Sequence, residues 1–444
     1  MHEGNTGKRC CKCCGGIAPE MTKKLFYNYL VIPFLWFFFR IYSMLNEKAR
    51  SGWAARRKLF EELERKISHL KSSRTRIWFH SSSMGEFEQA KPIIAEIKRL
   101  KPDVQIVISF FSPSGYEHSL NYPLADVIVY IPFDSPRNAR KFVRIVAPSA
   151  AIFIRYDIWP NHLWALKEKN IPTFVVSAQI RKRSYQSIPV VGNFIRSIYN
   201  SVDYILTVSE RDKDFFRKIG INKPIIEVIG DTRYDQVWKR KSESLRKDLI
   251  DNDIIEGRKI IVVGSSWRED EKVILPGIVA LFSEIKNLLV ILVPHEPKEE
   301  NIEAIERELN GKLSSIRFSH LQHYNNEPII IIDSVGILMT LYRYGHVAYV
   351  GGGFGAGVHN VLEPAVYGMP ILCGPRISNS QEALLLKKEG VLFEILFTED
   401  MINYCMRFLT DEVSRIQCGN RAFEIVKKNI GATIKCLSYL EKVM

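Results

Sequence analysis

The chain has 444 residues, of which 46% are hydrophobic and 25% charged, so it is long enough for two or three domains with large cores. This composition excludes a fibrous or intrinsically disordered chain. The net charge of +13 indicates an acidic partner, and nucleic acid, anionic lipid and a phosphorylated substrate all satisfy it.

Half of the eight cysteines occur in the segment RCCKCC, from Cys10 to Cys14. Adjacent cysteines lack the spacing of a zinc site, so we predict no metal there. The other cysteines are scattered, which fits a reducing compartment better than a disulfide framework. Because MTKKLFYNYLVIPF reads as a natural start, we interpret residues 1–20 as a non-native or disordered extension.

An apolar segment, Leu25–Phe39, follows Lys23 and Lys24 and is closed by Arg40 and further cations. Its 15 residues fall short of the roughly 20 that span a bilayer. Its aromatic content and basic flanks favour a membrane anchor, spanning or interfacial, over a buried core helix. We therefore predict an anchor over residues 21–45, with the main body on the cytoplasmic side and cations that attract anionic lipid head groups.

From Arg76 onward, short β-branched runs such as RIWFHSSS and VQIVISFF alternate with amphipathic helical stretches. Strands of this kind with helices between them predict a parallel sheet that is covered on both faces. The pattern pauses in the charged segment Trp238–Lys259 and then restarts with KIIVVGSS. We predict an α/β fold of two doubly wound Rossmann-like domains that face a cleft, over residues 46–238 and 239–444.

The segment Val350–Pro375 places five glycines within residues 351–357, between a predicted strand and a predicted helix. Glycines let the backbone approach a ligand, and a helix N-terminus offers N–H donors to a phosphate. Glu363, in the first turn, can accept hydrogen bonds from a sugar diol. The match to a dinucleotide fingerprint is weak because no acid ends the next strand. A nucleotide site and a plain tight turn both remain open.

In the first predicted domain, HSSSMGEFEQAKP places Glu86 just after a strand, at the start of a helix. A carboxylate there can act as a general base toward a hydroxyl, or merely complement the helix dipole. The serines before it, which lack a GxSxG elbow, are interpreted as helix caps.

Three further polar segments follow predicted strands, where ligands bind in open α/β sheets. RYDIWPNHLW ends one strand with a charged pair and starts a helix at Pro160. GDTRYD offers Arg233 to an anionic group, and VPHEP offers His295 and Glu296.

Taken in order, HSSSMGEFEQAKP, RYDIWPN, GDTRYD, VPHEP, DSVGILMTLYRYG and GGGFGAGVHNVLEPAVYGMPILCGP resemble the 3-deoxy-D-manno-oct-2-ulosonic acid (Kdo) transferases of lipopolysaccharide assembly. The resemblance covers nearly the whole chain from about Met21. It implies a two-domain GT-B glycosyltransferase that inverts configuration and needs no metal or cofactor. The implied partners are CMP-Kdo, a lipid A precursor that accepts the sugar on its 6'-hydroxyl, and the cytoplasmic face of the inner membrane.

The resemblance also implies roles for individual residues. Glu86 matches the family's proton acceptor, Asp157 an acidic position, and Arg233 a basic residue that steadies developing charge. The positions implied for CMP binding are His295, Glu296, Val335, Gly336, Ile337, Asn360, Val361, Leu362 and Glu363.

This chain departs from the common family pattern at three of these places. His295 and Glu296 stand where many members have Arg-His, Ile337 stands where many have Glu, and Asp157 replaces the more common Glu. A GT-B enzyme with a UDP-sugar donor and a non-catalytic lipid-binding protein remain alternatives. Nucleic acid is not expected as a partner, since the cations are spread through helices rather than interleaved with aromatics.

Overall fold

The computed structural model describes residues 17–179 and 189–443; the RCCKCC segment lies outside them. The strands are β1 Arg76–Ser81, β2 Gln105–Phe110, β3 Val127–Tyr130, β4 Ala150–Ile154, β5 Thr173–Ala178, β6 Tyr204–Thr207, β7 Ile225–Val228, β8 Lys259–Ser266, β9 Leu288–Pro294, β10 Ser315–Arg317, β11 Ile329–Ile331, β12 Val347–Val350, β13 Ile371–Cys373 and β14 Leu392–Glu394.

The α-helices are α1 Ile17–Phe26, α2 Ile32–Leu45, α3 Glu47–Ala55, α4 Leu59–Ser68, α5 Met84–Leu100, α6 Pro113–Glu117, α7 Pro136–Val146, α8 Pro160–Glu168, α9 Pro189–Tyr199, α10 Glu210–Lys218, α11 Thr232–Ser244, α12 Asn252–Ile255, α13 Arg268–Glu284, α14 Glu299–Leu309, α15 Leu338–Leu341, α16 Leu362–Val366, α17 Gln381–Lys388, α18 Thr398–Thr410, α19 Glu412–Lys428 and α20 Ala432–Leu440.

In the described residues, the first unit holds a parallel sheet of seven strands in the order β3-β2-β1-β4-β5-β6-β7. Its central strands β1, β2, β4 and β5 are buried along their whole length, which explains their nearly continuous apolar sequences. The strand order reverses between β1 and β4, so the loops after these two strands diverge and leave room for a ligand.

The described part of the second unit repeats this architecture, with seven parallel strands in the order β10-β11-β9-β8-β12-β13-β14. Here the order reverses between β8 and β12. The prediction of two doubly wound α/β domains is confirmed.

The division between the units differs from the predicted boundary at residues 238 and 239. The first unit comprises the chain up to Thr232 together with Gly431–Met444, and the second unit is Arg233–Ile430. Helix α11 belongs to the second unit because its side chains Tyr234 and Val237 pack into that core. Helix α20 returns to the first unit because three of its side chains join the core beneath β1 and β2: Cys436, Leu437 and Leu440.

The predicted anchor is a continuous helical segment, Met21–Leu45, long and apolar enough to cross a bilayer, with a π-helical turn at Tyr27–Val31. The buried Tyr27 hydroxyl donates to Oδ2 of Asp134 at 2.9 Å. Further along, the Phe39 ring lies 5.5 Å from that of Phe111. The segment therefore contacts the first unit at two places 12 residues apart. Its exposed apolar side chains include Tyr29, Leu30, Phe34, Phe37, Phe38, Ile41 and Leu45.

Candidate active site

Glu86 lies in the first turn of α5, directly after β1, and its side chain is buried. Its Oε2 accepts the backbone N–H of Ser82 at 2.6 Å. Ser83, at the N-cap position, makes no side-chain cap bond, and the Ser81 hydroxyl is buried without a partner, so the interpretation of the serines as caps is wrong. Glu86 itself satisfies a backbone donor at this helix start.

The surroundings of Glu86 favour its protonated form. Burial raises its pKa to about 7, and the negative charge of Asp157 acts in the same direction. The Ser82 N–H, His80 and Arg155 oppose the shift without cancelling it. A carboxyl group that titrates near neutral pH is suited to accept and release a proton.

Asp157 follows β4 and is held by two rings. His80, fully buried on β1, places Nε2 at 2.9 Å from Oδ2 of Asp157, and Trp159 Nε1 lies 3.3 Å from the same oxygen. On its other side, His80 Nδ1 is 2.8 Å from Oγ of Ser109. These contacts fix the orientation of Asp157, since Oδ2 can accept from both rings at once.

In the second unit, the carboxyl ends of β8 and β12 border a cavity of about 220 Å³. Nη1 of Arg240 lies 3.4 Å from Oε1 of Glu363, and Nδ2 of Asn360 donates to the same oxygen at 3.2 Å. Glu363 is thus oriented by an amide and a cation. The cavity is lined by Arg240, Ser265, Gly336, Leu338, Met339, Tyr342, Val350, His359, Asn360 and Glu363.

The glycine-rich loop wraps around a buried carboxylate, that of Asp270 at the start of α13. Its Oδ2 accepts the N–H of Gly352 at 2.8 Å, and its Oδ1 accepts the hydroxyl of Tyr349 at 2.9 Å. A β-carbon at Gly351 would overlap the carbonyl oxygen of Ser265. The bare backbone at this loop is therefore needed for close approach to the protein's own β8 end and to Asp270.

Three aromatic rings meet beside this loop. Trp267 Nε1 donates to Nε2 of His359 at 2.8 Å, so these two rings lie edge to edge with an interplanar angle of 15°. The His295 ring stacks on both, with centroid distances of 4.4 Å to each. Burial lowers the pKa of His359 to about 4 and also lowers the pKa of His295, which keeps both rings neutral at pH 7.

Arg233 and Glu382 form a two-point ion pair, in which Nη2 lies 3.0 Å from Oε2 and Nη1 contacts Oε1. Glu382 is almost fully buried, so the carboxylate is a fixed counter-ion for the predicted catalytic cation.

Other predicted CMP-binding positions differ in what they can offer. Val361 and Leu362 are buried in the core, so only their backbone can meet a ligand. Helix α16 has only five residues, so its dipole is small. Glu296 pairs with Lys298 at 2.7 Å, and Val335, before Gly336 and Ile337, is exposed.

Sequence reasoning missed His359, Trp267, Asp270, Arg240 and Glu382. The adjacent His and Asn at 359 and 360 were a signal for the first of these. Asp270 stands three residues after Trp267, at capping-box spacing, which was a signal for a buried first-turn acceptor. Nothing local marks Arg240 or Glu382, because their partners are distant in the chain.

The chain is similar in sequence to known transferases. A family model described as 3-deoxy-D-manno-octulosonic-acid transferase (kdotransferase) matches residues 51–236. A 3-deoxy-D-manno-octulosonic acid transferase of Haemophilus influenzae is 28% identical over 375 residues, which cover 82% of this chain and 86% of the relative. One of Aquifex aeolicus is 27% identical over 360 residues, covering 79% and 91%.

Among solved structures, UDP-GlcNAc 2-epimerase from Neisseria meningitidis bound to UDP-GlcNAc matches with a TM-score of 0.57 and 15% identity, covering 83% of this chain and 100% of that chain. At this identity the likeness concerns the fold alone. The fold is therefore of the GT-B type, and the chain is a glycosyltransferase that is similar in sequence to the 3-deoxy-D-manno-octulosonic acid transferases.

Proposed function

We propose that the chain transfers Kdo from CMP-Kdo to the 6'-hydroxyl of the lipid A precursor in lipopolysaccharide synthesis, with inversion of configuration. The observation that carries the proposal is the environment of Glu86. This carboxyl is buried at the carboxyl end of β1, beside Asp157, and its pKa is raised to about 7. A base of this kind can activate a sugar hydroxyl for a single displacement by accepting its proton.

In the proposed reaction, the acceptor oxygen attacks the anomeric carbon of Kdo while its proton passes to Glu86. The bond between that carbon and the CMP phosphate breaks, and its electron pair remains on the phosphate. Asp157 strengthens the affinity of Glu86 for the proton because the two negative charges repel.

The donor nucleotide is proposed to occupy the cavity of the second unit. Glu363, which contacts Arg240 and Asn360, is proposed to accept hydrogen bonds from the ribose hydroxyls. The neutral rings of His295 and His359 offer stacking and N–H groups to the cytidylate. Arg233, fixed by Glu382, and Arg240 are the cations proposed to stabilise the charge that grows on the leaving phosphate.

We further propose that the protein sits on the cytoplasmic face of the inner membrane, with the segment Met21–Leu45 lying in the interface. Tyr27 and Phe39 both dock on the first unit, roughly 18 Å apart along the helix. A helix held this way presents its exposed apolar face to lipid along its length. Vesicle flotation of wild type and a Phe34→Glu/Phe37→Glu variant tests this; equal flotation in both would contradict the interfacial anchor.

The transfer itself is tested with membranes that contain the protein, a lipid A precursor and CMP-Kdo generated in situ, followed by mass analysis of the lipid. Glu86→Gln is expected to lower turnover about 10² to 10⁴-fold and to leave CMP-Kdo binding intact. Glu88→Gln, on the same helix and paired with Lys91, is the matched control and is expected to stay close to wild type. Turnover near wild type in Glu86→Gln would refute Glu86 as the base, and tighter competition by UDP than by CMP would favour a UDP-sugar donor.

A further inference from the structure

Arg155, the first residue after β4, has a backbone conformation that arginine rarely adopts. Its φ is 65°, in the left-handed region, and its N–H donates to the carbonyl of Val176 on the neighbouring strand β5 at 2.8 Å. A non-glycine residue held in this region carries strain of about 1 kcal/mol or more. Ser177, at the end of β5, is strained in the same way, with φ of 52°.

The side chain of Arg155 is also unsatisfied. Its Nε is buried without a hydrogen-bond partner, and within residues 17–179 and 189–443 its guanidinium makes no hydrogen bond or ion pair. The buried hydroxyl of Ser177 likewise has no partner. Desolvated polar groups of this kind normally find a partner, and exceptions concentrate at functional sites.

Two acidic residues, Glu86 and Asp157, nevertheless lie near Arg155. It is close enough to Glu86 to lower the pKa of that carboxyl, and Asp157 is two residues further along the chain. Neither acid pairs with it. Glu86 accepts from the Ser82 N–H, and Asp157 contacts His80 and Trp159. The positive charge of Arg155 therefore lies at the carboxyl end of the sheet without a hydrogen-bonding partner among the described residues.

We propose that Arg155 binds an anionic oxygen group of a substrate, a carboxylate or a phosphate, beside Glu86. This inference rests on the proposed function, in which both sources exist, the carboxylate of Kdo and a phosphate of the lipid acceptor. A planar guanidinium matches either group through two parallel hydrogen bonds. Its position next to the base would hold the reacting sugar or lipid in register with Glu86.

The test compares wild type with Arg155→Gln, Arg155→Lys and Arg155→Gly in steady-state transfer. Arg155→Gln is expected to raise the KM for one substrate about 10- to 100-fold, with partial recovery in Arg155→Lys. A rise for CMP-Kdo identifies the sugar carboxylate, and a rise for the lipid identifies the acceptor phosphate. Arg155→Gly relieves the left-handed strain, so it should melt no lower than wild type while sharing the raised KM.

Arg74→Gln is the matched control. Arg74 lies before β1, at the amino ends of the strands and thus opposite to Arg155, and it pairs with Asp103 on the surface. This substitution removes the same charge and should leave both KM values unchanged. Binding of free Kdo and of the lipid A precursor in detergent micelles is titrated on the same variants without turnover. A wild-type protein without transfer activity would contradict the proposed function but not the role of Arg155. Unchanged KM values together with unchanged binding in a folded Arg155→Gln protein would overturn the role of Arg155.

Discussion

Nε2 of His80 lies 2.9 Å from Oδ2 of Asp157, and this contact joins the ends of two adjacent strands, β1 and β4. His80 is fully buried and is held in turn by Ser109. Asp157, whose charge adds to the effect of burial in raising the pKa of Glu86, is thus positioned from the core of the sheet rather than from a loop.

Replacing His80 by Gln should loosen Asp157 without removing it. Small displacements of groups at a reacting centre strongly reduce the rate of the chemical step. We therefore expect kcat to fall about 10- to 100-fold while the KM for the donor changes little. The control is His162→Gln, which breaks the other buried His–Asp pair, with Asp134. That variant should melt at a lower temperature but retain the turnover of its folded fraction; an equal loss of kcat in both would assign His80 a purely structural role.

The pH profile of kcat/KM should rise with pH through about 7, since Glu86 must be ionised to accept a proton. The charge of Asp157 raises the pKa of Glu86, whereas His80 and Arg155 lower it. Asp157→Asn removes the raising charge, so the ascending limb should move to lower pH. A limb that stays in place, or moves to higher pH, would show that Glu86 is not the titrating base.

Arg233 and Glu382 should behave as one unit. Removing either partner leaves a desolvated charge, so Glu382→Gln and Arg233→Gln should each lower the free energy of unfolding by about 3 kcal/mol or more. The double variant should lose less than the sum of the two, which urea unfolding measures directly. Strictly additive losses would mean that the pair contributes no coupling.

Asp270 should be required for the shape of the glycine loop. Asp270→Ala leaves the N–H of Gly352 and the hydroxyl of Tyr349 unpaired, and we expect a loss of about 2 to 4 kcal/mol in stability together with weaker CMP binding. Tyr349→Phe removes only one of these bonds and should lose about 1 kcal/mol with CMP binding preserved. CMP affinity that survives Asp270→Ala would separate the loop from the nucleotide site.

Much of the fold was predictable, because buried parallel strands are recognisable in the sequence as apolar runs between helices. The strands missed were β10 and β14, which are short and only partly buried at sheet edges, so their sequences lack that pattern. The return of α20 to the first unit was also missed, since its apolar face fits either core equally well in sequence.

The candidate site was less predictable than the fold. Glu86 stood out because it follows a strand directly, but its burial and its neighbours depend on contacts between separate strands. Glu382 and Arg233 are 149 residues apart, and no local pattern couples them. The sequence left both a nucleotide site and a tight turn open for the glycine run, and the contact of this loop with Asp270 depends on a residue about 80 positions earlier in the chain.

Asp134 accepts hydrogen bonds both from Tyr27 of the apolar segment and from the first backbone N–H groups of α8, at Asn161 and His162. The loop that ends in this helix turn also carries Asp157. A single carboxylate thus connects the proposed membrane segment to the loop that carries Asp157, so the height of the proposed catalytic acids above a lipid surface would be set by the chain itself. On a membrane the protein would therefore act on hydroxyl groups at one depth in the head-group layer. It would not act on those that lie deeper in the bilayer or further out in solution.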